Sequence, residues 1–226
     1  MFSNKKIAFT VIFLLYLAIE FDGVFNISRK IIFSTTEKGE NMEILQEGIG
    51  KGKWAIERVD DLILLSKSPE LFEDHFILKA DLNMKGIEFL PIGNLLTPFN
   101  GSFDGNGMFI ENLTINCPKW QTVGLFGSCD ENANIQGVRL TNCNITGADG
   151  VGGICGCNQG GRIEYCEVYG TIKATEEFNA IGCVVGCNCD DGIVDMNVGE
   201  CTIITDKEFF TDDLEIGYDN DKIEDD

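Results

Sequence analysis

Two short apolar strings recur along the middle of the chain at a nearly constant spacing. The first is rich in glycine and occurs three times, with starts 28 and 30 residues apart: VGLFG (123–127), VGGICG (151–156) and IGCVVG (181–186). The second carries apolar residues at near-alternating positions and occurs four times, at steps of 25, 28 and 30 residues: IENLTI (110–115), IQGVRL (135–140), IEYCEV (163–168) and IVDMNV (193–198). Two independent strings that repeat together at one period indicate a repeat architecture.

The strings are short, rich in β-branched residues and bounded by Gly, Asn and Asp, which is typical of strands and turns. No stretch within 99–205 has a helical 3.6-residue stripe of useful length. We therefore predict an all-β fold, a short parallel β-helix of about four to five coils; a β-sandwich is the alternative. Stacking predicts two interior columns: Leu113, Val138, Cys166 and Met196, and Ile115, Leu140, Val168 and Val198.

Glycines define the repeat, because they recur where a bend or a close backbone approach leaves no space for a side chain. The repeat-defining positions are Gly124, Gly127, Gly152, Gly156, Gly182 and Gly186. A tight-turn sequence, Asp104, Gly105, Asn106 and Gly107, precedes them and has the Asp-Gly and Asn-Gly chemistry that such turns prefer.

The flanking segments differ in composition from the repeats at 99–205. Residues 54–98 form an N-terminal capping module and first coil, with a short amphipathic helix predicted at 59–65 to cover the exposed strand edges and interior of that coil. Residues 23–53 are predicted to be a linker. The tail, 206–226, has ten acidic and two basic residues, so we predict a solvated, disordered segment with at most weak binding of divalent cations.

The N-terminus has the pattern of an export signal, predicted over residues 1–22. Lys5 and Lys6 precede an uncharged run at 7–19, which is shorter than the roughly 20 apolar residues of a membrane span. A buried core helix and an uncleaved signal-anchor are the alternatives. The expected location is secreted or at the cell surface.

The middle of the chain resembles a known family of repeats. VGGICGCN (151–158) with GRIEYCEVYG (161–170), and IGCVVGCN (181–188), are similar to the GLUG motif of bacterial surface and adhesin-like proteins. Upstream, WAIERVDDL (54–62), FILKADL (76–82), PIGN (91–94) and PFNGSFDGNG (98–107) resemble the module that often precedes those repeats. The resemblance implies a right-handed parallel β-helix and a surface or adhesive role, with no transferable catalytic residues.

The charge and the cysteines narrow the chemistry further. With 37 acidic and 17 basic residues, the net charge of −20 repels phosphate backbones, so we predict no nucleic-acid partner. All ten cysteines lie between Cys117 and Cys201. Cys157 and Cys187 occupy equivalent repeat sites and are predicted to form a disulfide or a stack of thiols. Cys143 and Cys201, two coils apart, should not pair. Zinc is disfavoured, because the gaps at 155–157 and 187–189 are one residue long.

Catalysis is not expected, although β-helices can carry polysaccharide lyases or hydrolases, which is the alternative function. The chain has a single histidine, His75, and no nucleophile, phosphate-loop or metalloprotease motif. Four carboxylates are candidates for acid–base work on a sugar: Asp104, Asp149, Asp190 and Asp191. Turn formation explains Asp104, Asp190 and Asp191 equally well. A third alternative is a structural remnant of a larger adhesin or peptidase.

Binding through the side of the coils is the expected function. Filled interior columns leave no room for a cofactor, and no cofactor or metal is predicted. Outward positions form a polar ladder of candidate surface-binding residues: Glu111, Gln136, Arg139, Glu164, Glu167 and Tyr169. Extended faces of this kind suit weak multivalent contacts, here with an unidentified host protein or glycan that is basic or neutral.

Overall fold

The computed structural model describes residues 53–176 and 180–205, together with four strands outside those ranges. Its elements in chain order are β1 (Leu15–Leu17), β2 (Arg29–Thr36), β3 (Gly39–Glu47), β4 (Lys53–Ile56), α1 (Val59–Lys67), a 3₁₀ helix (Pro69–Leu71), β5 (His75–Leu78), β6 (Leu82–Asn83), β7 (Ser102–Asp104), β8 (Phe109–Glu111), β9 (Thr114–Asn116), β10 (Gln121–Val123), β11 (Phe126–Cys129), β12 (Asn134–Gln136), β13 (Arg139–Gly147), β14 (Asp149–Val151), β15 (Cys155–Gln159), β16 (Arg162–Glu164), β17 (Glu167–Ala174), β18 (Val185–Cys189), β19 (Ile193–Asp195), β20 (Val198–Ile204) and β21 (Ile216–Asp219).

Equivalent strands pair in parallel and stack the chain into a β-solenoid of about four turns, which confirms the predicted fold class. The first sheet runs β4-β5-β7-β12-β16-β19, and the antiparallel strands β1, β2 and β3 extend it beyond β4. The second sheet runs β6-β8-β13-β17-β20, with β9 also on β13, and the third runs β11-β15-β18-β21. A two-stranded sheet, β10-β14, lies between the second and third sheets on two consecutive turns.

The register of the glycine-rich string is as predicted. Val123 pairs with Val151 in parallel strands, and Val151 forms a parallel bridge to Ile181, so the three residues lie on consecutive turns. A second glycine column follows them at the start of the third sheet. A Cβ added to Gly156 would lie 2.3 Å from the backbone nitrogen of Val123, and one added to Gly186 would lie 2.5 Å from that of Val151. Two strands thus pass so close that only glycine fits.

The interior is filled by in-register apolar side chains. One column runs through the first sheet from Phe76 to Phe103, Ile135 and Ile163, all at most 1% exposed. Phenylalanines concentrate at the N-terminal end, where the rings of Phe103 and Phe126 lie 5.5 Å apart edge to face. Aliphatic residues and cysteines replace them in later turns, and a single continuous core results.

The predicted alignment of Ile110 with Ile135 is wrong, because Ile110 lies one strand further along the turn. Ile110 pairs with Leu140, whereas Phe103 is the partner of Ile135. The turn from Phe103 to Ile110 is two residues longer than the turn from Ile135 to Leu140, and the sequence match concealed that insertion. Leu113 and Val138 are both buried, but they do not share a column.

The last turn departs from the predicted columns as well. Met196 is 65% exposed and Val198 is 44% exposed, although both were expected in the interior. The connection from Cys189 to Ile193 has one residue more than the equivalent connection from Gln159 to Arg162, because Gln159 pairs with Cys189 and Arg162 with Ile193. Val194 consequently takes the inward position beside Ile163.

The predicted helix is present as α1, which connects β4 to the parallel strand β5. The buried carboxylate of Asp61 accepts hydrogen bonds from the backbone nitrogens of Glu57 and Arg58, at 3.1 and 2.9 Å, and so holds the first turn. Leu62, Leu64 and Leu65 are buried in the solenoid core, in keeping with a cover over the interior. The strand edge of β4 itself is paired with β3 rather than covered by the helix.

The terminal segments contain strands where none was predicted. The linker expected at 23–53 includes the hairpin of β2 and β3, in which Ile31 pairs with Ile44. Within the acidic tail, β21 pairs in parallel with β18 and Ile216 is buried, so this part of the tail is ordered rather than disordered. Of the predicted export signal, only β1 lies among the described residues; the remainder of it, and of the tail, lies outside them.

Candidate functional site

The first sheet presents a column of polar side chains on its outer face. Gln136 pairs with Asp104 on one side and with Glu164 on the other, and Glu164 pairs with Asp195 on the next turn. Adjacent strands in a sheet lie about 4.8 Å apart, so like groups stack closely along the solenoid. Two of the predicted binding residues, Gln136 and Glu164, are therefore direct neighbours.

A second outward column, on the second sheet, contains a salt bridge between consecutive turns. The Arg139 guanidinium donates to a Glu167 carboxylate oxygen at 2.8 Å, and this hydrogen bond raises the pKa of Arg139. The same guanidinium lies over the ring of Phe109, 4.8 Å from its centroid. Arg139 and Glu167, both predicted binding residues, thus form a fixed pair on consecutive turns.

Between these columns lies a tight turn that carries exposed apolar side chains. Gly137, Tyr165 and Met196 occupy this turn on successive coils, and each has a left-handed backbone, with φ values of 61°, 57° and 55°. Tyr165 is 60% exposed. We use the term outer corner for this surface: Gln136, Arg139, Glu164, Tyr165, Glu167 and Met196.

The remaining two predicted binding residues lie further along the second sheet. Glu111 is exposed and pairs with Thr141, while Tyr169 pairs with Glu200. The predicted ladder is therefore not one line of side chains. It consists of two adjoining columns at the outer corner and a separate row that includes Glu111 and Tyr169.

The candidate carboxylates make turn contacts. Asp104 accepts a hydrogen bond from the backbone nitrogen of Asn106 at 2.8 Å, which is the expected role of an Asp in this turn. Asp149 accepts from the backbone nitrogens of Gly150 and Ala180, each at 2.8 Å. Asp190 and Asp191 both adopt left-handed conformations in the turn before β19. His75 contacts Ser102 on the next turn, with 2.9 Å between Nδ1 and Oγ.

A cluster of three thiols lies on β15 and β18, the two central strands of the third sheet. Cys157 and Cys187 pair in register on β15 and β18, as their repeat positions predicted. The Sγ atom of Cys189 lies 3.9 Å from the Sγ atoms of both Cys157 and Cys187, and all three sulfurs lie within 4.8 Å of one another. None of the three is in a disulfide. Stacking therefore describes Cys157 and Cys187, with Cys189 as a third member.

Thiol ionisation is disfavoured at Cys157 and Cys189 in the cluster and at Cys143 in the core. A hydrogen bond with Cys187, together with burial, raises the pKa of Cys157. Burial and the neighbouring Cys187 raise the pKa of Cys189 to about 11. Burial also raises the pKa of Cys143 to about 11 in the middle of the second sheet. These thiols are protonated at neutral pH.

One disulfide is described, between Cys183 and Cys201, whose Cα atoms are 5.6 Å apart. Cys143 and Cys201 both pair with Gly170, from opposite sides, so they are two turns apart, as expected. The pairing of Cys201 with Cys183 was not predicted. It joins the second sheet to the segment that precedes β18.

Sequence reasoning missed Cys189 and Tyr165 as members of these two sites. The signal for Cys189 was available, since it follows Cys187 by two residues and so projects from the same strand beside a repeated cysteine. Tyr165 occupies the position of Gly137 in the preceding repeat. That alignment with a turn glycine was the signal for a turn at Tyr165.

Comparison with known proteins gives one informative similarity. A stretch of 133 residues is 33% identical to part of halomucin from Haloquadratum walsbyi (strain DSM 16790 / HBSQ001). The match includes 54% of this chain but only about 1% of the length of that relative. No family model matches the chain, and no solved structure matches it. The solenoid and this similarity are together compatible with a surface repeat protein.

The described part of the chain contains no helix that is long and apolar enough to cross a membrane.

Proposed function

We propose that this protein is a non-catalytic β-solenoid, secreted or displayed at the cell surface, that binds its ligand through the outer corner. The observation that carries the proposal is the packing of the interior. Its stacked columns, such as Phe103, Ile135 and Ile163, are fully buried, so recognition falls to the outward side chains. Repeat proteins commonly use such extended faces for binding.

The outer corner has the composition of a contact surface. The exposed Tyr165 and Met196 supply apolar area, and the flanking columns supply hydrogen-bonding groups at a regular spacing. Aromatic residues and methionine are enriched in binding surfaces. The chain is strongly acidic, with a net charge of −20, which favours a neutral or basic ligand, either a glycan or a host protein.

The extracellular setting rests on two supports. The basic residues and uncharged run at the N-terminus have the pattern of an export signal. The similarity to halomucin is compatible with a secreted or surface protein. Membership of the GLUG repeat family is likewise part of this proposal, on the strength of the residues that resemble its motif.

The test is a direct comparison of binding with cleavage. The full chain is immobilised and screened against glycans, matrix proteins and whole cells over a range of salt concentrations. In parallel, the same chain is incubated with polysaccharides and the release of reducing ends and unsaturated sugars is measured. We expect saturable binding that weakens with salt, since charge contributes to it, and no cleavage. Cleavage without binding would replace this proposal with the polysaccharide-active alternative.

If cleavage were observed, the Asp104→Asn variant would locate it. An asparagine oxygen can still accept the hydrogen bond from the backbone nitrogen of Asn106, so the turn should survive. Loss of cleavage in that variant, with its fold intact, would identify Asp104 as a catalytic carboxylate.

A further inference from the structure

The three-thiol cluster is formed by stacking rather than by sequence spacing. Cys157 and Cys187 come from equivalent positions on adjacent turns, and Cys189 lies two residues after Cys187 on the same strand. The preceding turn holds Ser128 at the position of Cys157, with its hydroxyl donating to the carbonyl oxygen of Cys157 at 3.2 Å. The residue in register with Cys157 on the earlier turn is therefore a serine rather than a fourth cysteine.

We propose that Cys157, Cys187 and Cys189 bind one thiophilic metal ion, Zn²⁺, through three thiolates, with a fourth position open to solvent. A Zn–S bond length of about 2.3 Å in a tetrahedral site corresponds to sulfurs about 3.8 Å apart. The two distances from the Cys189 sulfur are 3.9 Å, and the third edge of the triangle is within 4.8 Å. The sulfurs are thus already close to one face of the coordination tetrahedron.

The one-residue gap that disfavoured zinc in the sequence does not apply in this geometry. In a zinc finger, a gap of two to four residues folds the chain so that two sulfurs face one ion. Here the register between β15 and β18 supplies that proximity, because in-register partners in a sheet lie about 4.8 Å apart. The Cys189 sulfur lies beside them because residues two apart on a strand, here Cys187 and Cys189, project from the same face.

A single metal ion can bind all three thiols of the cluster, whereas a disulfide can use only two of them. A disulfide joins two sulfurs about 2.0 Å apart and would leave the third thiol unused. In the structure the Cys189 sulfur lies 3.9 Å from each of the other two sulfurs, while Cys183 and Cys201 form the disulfide of the same turn. A partly buried position also suits a metal: Cys157 is 7% exposed, and Cys187 and Cys189 are half-buried.

Binding exchanges protons for the metal without oxidation or reduction. Three S–H bonds are lost, three Zn–S bonds form, and three protons are released to solvent. The raised pKa values of Cys157 and Cys189 mean that these two thiols carry their protons in the metal-free site at neutral pH. Since thiolates rather than thiols bind the metal, affinity should rise with pH.

The test uses the full chain, gently reduced and freed of reductant. Zn²⁺ is titrated in competition with a chromophoric chelator, and we expect one ion per chain. The Cys187→Ser variant should bind at least about 100-fold more weakly, since it loses a ligand rather than an outer contact. Cys117→Ser is the matched control, because Cys117 is a buried thiol on an early turn and outside the cluster. It should bind as the unaltered chain does.

Two further measurements keep the proposal testable if Cys187→Ser fails to fold. Cys189→Ser removes the sulfur nearest the turn, and Co²⁺ bound to the unaltered chain should show intense thiolate-to-metal absorption. Failure to take up Zn²⁺, absence of that absorption, or equal affinity of the Cys189→Ser and Cys117→Ser chains would each overturn the proposal. The site does not depend on the proposed binding function, so either can fail alone.

Discussion

Gly199 lies against Cys183 in the last described turn of the solenoid. A Cβ added to Gly199 would fall 2.7 Å from the Cβ and 3.1 Å from the Sγ of Cys183. In the preceding turns the same column holds Val168 and Leu140, which fill the interior with larger side chains. Glycine at this position leaves room for the disulfide between Cys183 and Cys201. That disulfide covers the interior at a turn where the apolar packing is less extensive.

Replacing Gly199 by valine should therefore prevent the disulfide. A valine would restore the column but overlap Cys183, so the two sulfurs could not approach. We expect a free-energy loss of about 3 kcal/mol, the value of a disulfide that closes a loop of this size. The check is thiol counting by mass spectrometry together with thermal unfolding. Glu200→Val, at the exposed neighbouring position, should keep the disulfide; loss of the disulfide in both variants would contradict this explanation.

Charge in the interior should unfold the array. Leu140 is fully buried between Ile110 and Val168, so an aspartate there would be an unpaired buried charge. Its cost of several kcal/mol is comparable with the stability of a whole domain. Circular dichroism should show loss of the native fold in Leu140→Asp. Asn144→Asp, on the exposed side of the same strand, should remain folded with little change in melting temperature.

The Cys143 thiol should make the fold sensitive to alkaline pH. Burial raises its pKa from 9.0 to about 11. The unfolded chain therefore loses this proton at lower pH than the folded chain, so the contribution is complete below pH 9 and is lost as the pH rises through 11. A shift of that size corresponds to about 2–3 kcal/mol. Urea unfolding at pH 8 and pH 11 should show a smaller alkaline loss for Cys143→Ala than for the unaltered chain, and equal losses would count against it.

The turn at Asp104 should depend on an oxygen acceptor rather than on charge. Its carboxylate accepts the backbone hydrogen bond of Asn106, whose φ of 51° is left-handed. Asp104→Asn should change the free energy of unfolding by less than about 0.5 kcal/mol, and Asp104→Ala should lower it by about 1 kcal/mol. Urea unfolding of the two variants distinguishes these outcomes. A larger loss in the asparagine variant would mean that the negative charge itself is needed.

The fold could be predicted because its repeats stack in register. Val123, Val151 and Ile181 recur as a set, and equivalent residues in a solenoid must lie above one another, so the sequence period translates directly into structure. The register of Ile110 could not be predicted in the same way. The string that begins at Ile110 has the same apolar spacing as the one that begins at Ile135, although it lies one strand further along the turn and pairs with the strand of Leu140.

The candidate sites were less predictable, because both depend on contacts between turns. Cys189 joins Cys157 only through the pairing of β15 with β18, and sequence spacing alone suggested that the cysteines were too close along the chain for zinc. Tyr165 is exposed in a left-handed turn that only its alignment with Gly137 indicates, since it has no glycine at that position itself. The repeat period predicted the in-register pair Cys157 and Cys187, but not the contact of Cys189 with Cys157 between turns.

The central claim is that ligand binding occurs at the outer corner, and paired surface variants test it most directly. Tyr165→Asn suits the left-handed backbone and removes the exposed ring, while Gln136→Arg alters the adjoining column. Gln121→Arg, in the separate β10-β14 sheet, is the matched control. Against the ligand found in the binding screen, we expect both corner variants to weaken affinity at least about tenfold, or 1.4 kcal/mol, and the control to bind unchanged. A chain that binds no ligand, or corner variants that bind as tightly as Gln121→Arg, would contradict the account.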